Sequence, residues 1–369
     1  MLPSLFWLLL AAVPFSLAMR QPPGYLRSSL GALHVICMVN NLIGDFDLVP
    51  SSLSELWASF TLASILHSFI VLFIQEEVVR GDSKSLIDHL RELFWAWSNF
   101  RRIPFTERTA MSAKKSRTKT RVVFATKRLF RVLILVLMNN STTSLAVLCL
   151  RKLDITIEDF APEKQSFLPP IVPRDLLLRM IISFYWILSN YFGITLAHDG
   201  LSVLFVTILQ WDTPSEWPCV FGSVSEANSL RRFWGVFWHK LHVGIMTTLM
   251  PPCLCRKDGE VWWQRCGRSS LRALWIFLFS GICHGLVNRV LRKRTMRQDV
   301  QFFLSNYVIC LAETVVNSLM RKRYSHDASP RIWERLLGYV WVLSCFGCTV
   351  PAWKYPLVYG SVAVPRMKG

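Results

Sequence analysis

The sequence predicts an all-α membrane protein, a polytopic helical bundle of about eight spans. Three observations predict it. Of the 369 residues, 52% are hydrophobic and only 18% are charged, whereas a soluble domain carries about 25% charge. The apolar residues gather in runs close to the ~20 residues that a helix needs to cross hydrocarbon. The period-two alternation of a membrane β-barrel strand is absent from these runs. A mean hydropathy of +0.34 agrees. This composition argues against a water-soluble enzyme, and the 24 Phe and 15 Trp argue against a disordered chain.

The first run covers residues 3–18. No Lys or Arg precedes it and further runs follow, so it reads as a first span or signal anchor rather than a cleaved signal peptide. A second run covers about 29–44 and a third about 56–75. The link between them holds Asp45, Asp47 and Glu55 and no base. The loop after the third run, residues 76–128, is basic, and its polar middle around 106–121 is expected to be mobile. By the positive-inside rule the amino terminus and the 45–55 link are lumenal and the 76–128 loop is cytosolic.

A fourth run, 129–150, carries Asn139, Asn140, Ser141, Thr142 and Thr143 at its centre, which predicts a bent or re-entrant segment. Both asparagines match the glycosylation sequon, but their place inside an apolar run argues against modification. Residues 151–174 read as a linker ending in Pro169, Pro170 and Pro173. Separate runs follow at about 175–192 and 194–210, then a loop at 211–220 and an amphipathic stretch at 229–247. A polar loop at 251–268 precedes apolar runs at about 271–289, 300–319 and 337–360.

The net charge of +18 comes from 42 Lys+Arg against 24 Asp+Glu. The bases cluster between Arg101 and Arg131, at Arg292–Lys293–Arg294 and at Arg321–Lys322–Arg323, always beside apolar runs. Bases at membrane edges mark cytoplasmic loops and attract anionic lipid. No nucleic-acid recognition motif accompanies them, so the expected partner is membrane lipid and not nucleic acid. Several of the ten Cys lie inside apolar runs, where a thiol packs as a small hydrophobe. Cys253, Cys255 and Cys266 lack the usual C-x2-C pairs of a zinc site, so no metal is expected. A nucleophile elbow, a phosphate-binding glycine loop and an H-E-x-x-H motif are all missing.

Polar residues inside a span are costly and therefore candidates for function. In Trp275–Asn288, the residues Ser280, His284 and Asn288 share a helix face, and Gly281 and Gly285 let another backbone approach. A neutral imidazole at His284 either accepts a proton or simply hydrogen-bonds a neighbouring helix. In Asn228–Ile245, helical spacing puts Leu230, Phe233, Trp234, Phe237, Trp238, Leu241 and Ile245 on one face, with Arg232, Gly235, His239 and His242 opposite. That pattern predicts an interfacial amphipathic helix whose polar face is either wetted or turned into a cavity. In 300–319, the residues Asn306, Cys310, Glu313 and Asn317 form a stripe that either lines a tunnel or pairs Glu313 with an Arg or His.

The segment WPCVFGSVSEANSLRRFWGVFWH, Trp217 to His239, followed by His284 in FLFSGICHGL, resembles the wax synthase branch of the membrane-bound O-acyltransferases. Pro218, Phe221, Gly222, Ala227, Ser229 and Leu230 match that family's block, as do Arg231, Phe233, Trp234, Trp238 and His239. The sequence departs from it at Val236 and Phe237, where the family often has Arg-Arg, and at Gly285, where it often has an acid. The look is similar to fungal members that O-acetylate terpenoid or meroterpenoid alcohols, more than to plant enzymes making long-chain wax esters. The resemblance implies a transferase moving an acyl group, acetyl in such members, from acyl-CoA to a lipophilic alcohol of secondary metabolism. Long-chain wax ester synthesis is the alternative within the family, and a membrane transporter the alternative outside it.

On this resemblance His284 is the catalytic base, and His239 or Asn288 donates to the oxyanion. Ser280, Asn288, Glu313, Asn306, Trp238 and Trp234 are the substrate and tunnel candidates, and Arg231 and Arg232 the candidates for the CoA phosphates. No cofactor is implied beyond acyl-CoA as co-substrate, and the location implied is the endoplasmic reticulum. The chain then divides into amino-terminal membrane helices with the basic loop (1–210), a catalytic core (211–320), and a carboxyl-terminal loop and last span (321–369).

Overall fold

The computed structural model describes residues 4–44, 53–75, 85–99, 118–168, 172–255, 262–291, 296–323 and 332–366. Among them every regular element is a helix. The main ones are α1 (Ser4–Met19), α2 (Tyr25–Ile43), α3 (Ser54–Phe69), α4 (Leu86–Ser98), α5 (Thr118–Lys152), α6 (Pro173–Val203), α7 (Leu230–Arg232), α8 (Val243–Thr248), α9 (Trp262–Val290), α10 (Met296–Arg323) and α11 (Ile332–Arg366). Wide π turns extend α3 over Ile70–Ile74, α6 over Leu204–Ile208 and α7 over Phe233–Phe237. Seven described helices are long and apolar enough to cross a membrane, and α1 is apolar but shorter. The chain is an all-α, multi-pass membrane protein. Asp45 and Asp47, the 100–117 part of the basic loop, Pro169–Pro170 and the Arg292–Arg294 cluster lie outside the described residues, as do the side chains of Arg321–Arg323.

The helices correct the sequence reading in three places. Residues 129–150 are not broken into a re-entrant segment. They belong to the 35-residue α5, which already begins at Thr118, within the stretch expected to be mobile. The polar centre is absorbed by the helix itself, because the Thr143 hydroxyl donates to the Asn139 carbonyl at 2.8 Å. The runs 175–192 and 194–210 form one rod, α6 with its π turn, since only Gly193 separates them and one glycine does not end a helix. The amphipathic stretch 229–247 is not one helix. It runs from α7 through a π turn, turns extended at Trp238 (φ −65°, ψ 153°), and restarts as the six-residue α8. The Trp238 indole stacks on Trp186 and Phe233, so aromatic burial outweighs local helix propensity.

Chain contacts group the residues into two compact units, each built from two stretches: Met1–Ile103 with Leu241–Val300, and Pro104–Lys240 with Gln301–Gly369. In the first unit α1 and α2 form a hairpin, α2 packs on α3, and α3 touches α4, α8 and α9. Polar side chains tie these helices where lipid supplies no hydrophobic drive for association. Asn41 donates to the Thr61 hydroxyl at 3.1 Å with both residues fully buried. The His67 ring bonds the Ala96 carbonyl at 2.7 Å. The π turn after α3 leaves carbonyls without their usual partners. Arg27, 2% exposed, donates to two of them, Leu72 at 3.2 Å and Val71 at 3.1 Å.

In the second unit α5 and α6 form a hairpin and α11 packs on α6. Ser183 and Arg179 on α6 donate to the Phe346 and Gly347 carbonyls of α11. The hairpin link is held by Arg174, which bonds both Asp159 oxygens and the Leu153 carbonyl. The Arg174 hydrogen bond is the main cause that holds the Asp159 carboxyl below its ordinary 3.8; burial works against it, and the Thr156 amide adds to it. A depressed carboxyl stabilises the fold above its unfolded pKa, and that stabilisation is lost as pH falls through the folded value. The melting temperature in detergent should therefore fall more steeply below about pH 4 in the parent protein than in Asp159→Asn.

Candidate functional site

In the second unit, the segment Trp217–His239 is fixed at both ends and in the middle. At its start the Trp217 carbonyl accepts from Arg128 of α5 at 2.6 Å. The Trp217 indole donates to Asp212 at 3.0 Å and its ring packs against His198. Arg128 also pairs with Asp199 of α6, whose fully buried carboxylate gathers Arg131 at 3.4 Å and His198 at 3.3 Å. A buried carboxylate in a span needs such company.

The middle is a tight backbone crossing. The Gly222 amide donates to the Phe237 carbonyl at 2.8 Å. A Cβ on Gly222 would overlap the Val236 carbonyl oxygen and lie 3.2 Å from its carbon. The glycine of the block is therefore required by close approach. Ser229 then caps α7, its hydroxyl accepting from the Arg232 amide at 3.2 Å.

Glu313 of α10 completes this helix start. Its two oxygens accept from the Leu230 and Arg231 amides, both at 2.9 Å, and one of them also from the Trp341 indole at 2.7 Å. The first amides of a helix have no partner within it, so Glu313 joins α10 and α11 to the block through backbone amides and an indole rather than through an Arg or His. Glu313→Ala strands those donors and should lower stability by about 1–3 kcal/mol. Denaturant unfolding in detergent measures this, with Glu313→Gln expected between the two.

The π turn Phe233–Phe237 turns Phe233 and Phe237 inward. Trp234 donates to Asn306 of α10 at 3.1 Å, and Asn306 is fully buried. Trp238 packs against Trp234 and Phe221. His239 follows, half-buried, its ring 5.7 Å from Phe221 and 5.6 Å from Trp238. Arg231 points to the surface, whereas Arg232 pairs with Glu226.

In the first unit, α9 carries Ser280, His284 and Asn288 on one face, and each has a neighbour. The Ser280 hydroxyl meets the Met246 sulfur at 3.5 Å, and the Trp275 indole donates to the Met246 carbonyl at 2.9 Å. One turn on, His284 is half-buried. Another turn on, Asn288 is 3% exposed and donates to the fully buried Asp299 of α10 at 2.9 Å. Gly285 lies against Met296, whose Cα would be 3.0 Å from an added Cβ. The acid that the related block often carries there has no room in this chain.

His242 belongs to the same unit. It precedes α8 and is half-buried. Desolvation lowers its pKa to about 4, with the His284 imidazole as the second cause. The ring is therefore neutral near pH 7.

The site residues expected from sequence thus fall in two groups. Trp234, Trp238, His239, Asn306 and Glu313 meet around the block in one unit, together with the Arg231 backbone. Ser280, His284 and Asn288 line one helix face in the other. Sequence reasoning passed over Arg128, Asp199 and Asp299, and it named His242 only as part of a polar face. Asp199 had a legible signal, an acid inside the apolar run 194–210. Among the described residues, no three His, Cys, Asp or Glu side chains gather as metal ligands.

Residues 217–305, which hold the whole block and the His284 face, match the model of the membrane bound O-acyl transferase family. Over about half of its length the chain is similar to fungal acetyltransferases. It is 29% identical over 178 residues to acetyltransferase TRI7 of Fusarium sporotrichioides, covering 46% of this chain and 40% of that one. It is 27% identical over 199 residues to acetyltransferase ataH of Aspergillus terreus, covering 52% and 62%. It is 26% identical over 199 residues to acetyltransferase spyB of Aspergillus fumigatus, covering 47% and 31%. The chain spans less than two thirds of the length of these relatives. No solved structure matches it.

Proposed function

We propose that this protein is a membrane-bound O-acyltransferase that moves an acyl group, acetyl, from acyl-CoA to a hydroxyl of a lipophilic alcohol of the terpenoid or meroterpenoid class. One observation carries the reading: the segment that matches the family holds both the Trp217–His239 block and an intramembrane histidine on a tied-down polar face. The fungal relatives named as acetyltransferases support acetyl over longer chains.

His284 takes the proton of the acceptor hydroxyl as its oxygen attacks the thioester carbonyl. Collapse of the tetrahedral intermediate expels the CoA thiolate, and the proton passes from the imidazolium to that sulfur. A general base placed in this way contributes about 10²–10⁴-fold. His239 is the second candidate histidine, proposed as a donor to the oxyanion. Asn288 is a weaker candidate for that task, because one of its N–H groups is committed to Asp299. Arg231, exposed, is free to meet CoA phosphates, whereas Arg232 shares its charge with Glu226. The endoplasmic reticulum is the proposed location.

The test supplies microsomes containing the protein with labelled acetyl-CoA and a panel of terpenoid alcohols. Acetyl ester formed only when the protein is present supports the reading. Preference for palmitoyl-CoA would move it to wax ester synthesis. Absence of any acyl transfer, with uptake of the alcohol into proteoliposomes lacking CoA, would replace it with transport. Deletion of the gene should leave a free alcohol that identifies the acceptor.

A further inference from the structure

We infer that His242 is a positioning residue for His284, holding its ring by accepting an N–H from it. The inference rests on the acyl-transfer reading above. Two contacts on α9 lead to it. Trp275 and Ser280 both reach Met246, through its carbonyl at 2.9 Å and its sulfur at 3.5 Å. The Met246 amide bonds the His242 carbonyl at 3.1 Å, so His242 stands one helical turn before Met246. His284 stands one turn after Ser280, on the same face. With Met246 held against Ser280, His242 and His284 each stand one turn from that contact, and the inference places their rings on facing turns. The electrostatic influence of the His284 ring on His242 has the same origin.

The surroundings fix both partners. Ile245, 1% exposed, is packed into the cluster of Ala63 and Ile70 on α3, which anchors α8. Asn288, one turn beyond His284 and bonded to Asp299, and Gly285, next to it and pressed on Met296, hold this part of α9. A neutral imidazole has one lone pair to offer. Accepting the N–H of His284 leaves the other nitrogen of that ring as the base. When His284 takes up the substrate proton, the same hydrogen bond becomes charge-assisted and strengthens. His242 therefore orients the base and steadies its cation, the work that a third group performs behind a base in other acyl-transfer sites. It touches no substrate in this scheme.

The experiment compares His242→Ala, His242→Gln and His242→Leu with the parent protein in detergent-solubilised form. It records acetyl transfer kinetics and melting temperature. The expected result is a loss of about tenfold or more in kcat for the Ala and Leu variants, with KM for acetyl-CoA within about twofold. Gln, which keeps an acceptor oxygen, should regain a measurable part of kcat at the same melting temperature as Leu. Full turnover in folded His242→Ala overturns the inference, as does a kcat that follows the melting temperature whatever the side chain. Failure of the parent protein itself to transfer acetyl would instead count against the acyltransferase reading.

Discussion

Replacing His284 with alanine should reduce acetyl transfer by about 10²–10⁴-fold, the contribution of a positioned general base. On the proposed mechanism this loss falls on kcat, because there the ring would act when the hydroxyl proton moves and not when substrate enters. His284 is half-buried and its neighbours on the face, Ser280 and Asn288, keep their own partners without it. The variant should therefore fold, with a melting temperature close to the parent value. The measurement is turnover of labelled acetyl-CoA by equal amounts of folded protein. Unimpaired turnover in the variant would remove His284 from the chemistry.

The largest effect on stability is expected at Asp199. Its fully buried carboxylate faces Arg128 and Arg131, whose side chains are 12% and 33% exposed. Removing one partner of a buried ion pair strands the remaining charge, which costs about 3–5 kcal/mol. Asp199→Ala should show this as a large drop in melting temperature. The double variant Asp199→Ala/Arg128→Leu should recover part of the loss, since the stranded cation is removed as well. Arg128 also holds the Trp217 carbonyl, so the single variant should loosen the Trp217–His239 block and raise its amide exchange. An unchanged melting temperature would mean that the pair is not structural.

Much of this architecture was legible because lipid imposes a simple rule: backbone amides must be paired within the span. Runs of the right length therefore had to be helices, and the structure bears out the all-α, multi-pass reading. The individual breaks were harder to read. Asn139 to Thr143 looked like an interruption, but a threonine hydroxyl bonds back to its own helix as readily as it breaks one. Residues 229–247 had a helical pattern that broke at Trp238, because aromatic stacking with Trp186 and Phe233 is invisible to a periodicity count. Glu313 was legible as a polar residue in need of a partner, but its partners were backbone amides far along the chain.

By itself the sequence determined that the chain is helical and membrane-embedded, and which polar residues lie inside apolar runs. These follow from composition, run length and local spacing, which need no knowledge of neighbours. Only the tertiary structure decided what each of those polar residues meets: Arg128 and Arg131 at Asp199, two amides at Glu313, and Asp299 at Asn288. A hydrogen bond acts over about 3 Å, and no spacing along a chain reveals which distant residue folding brings within that reach.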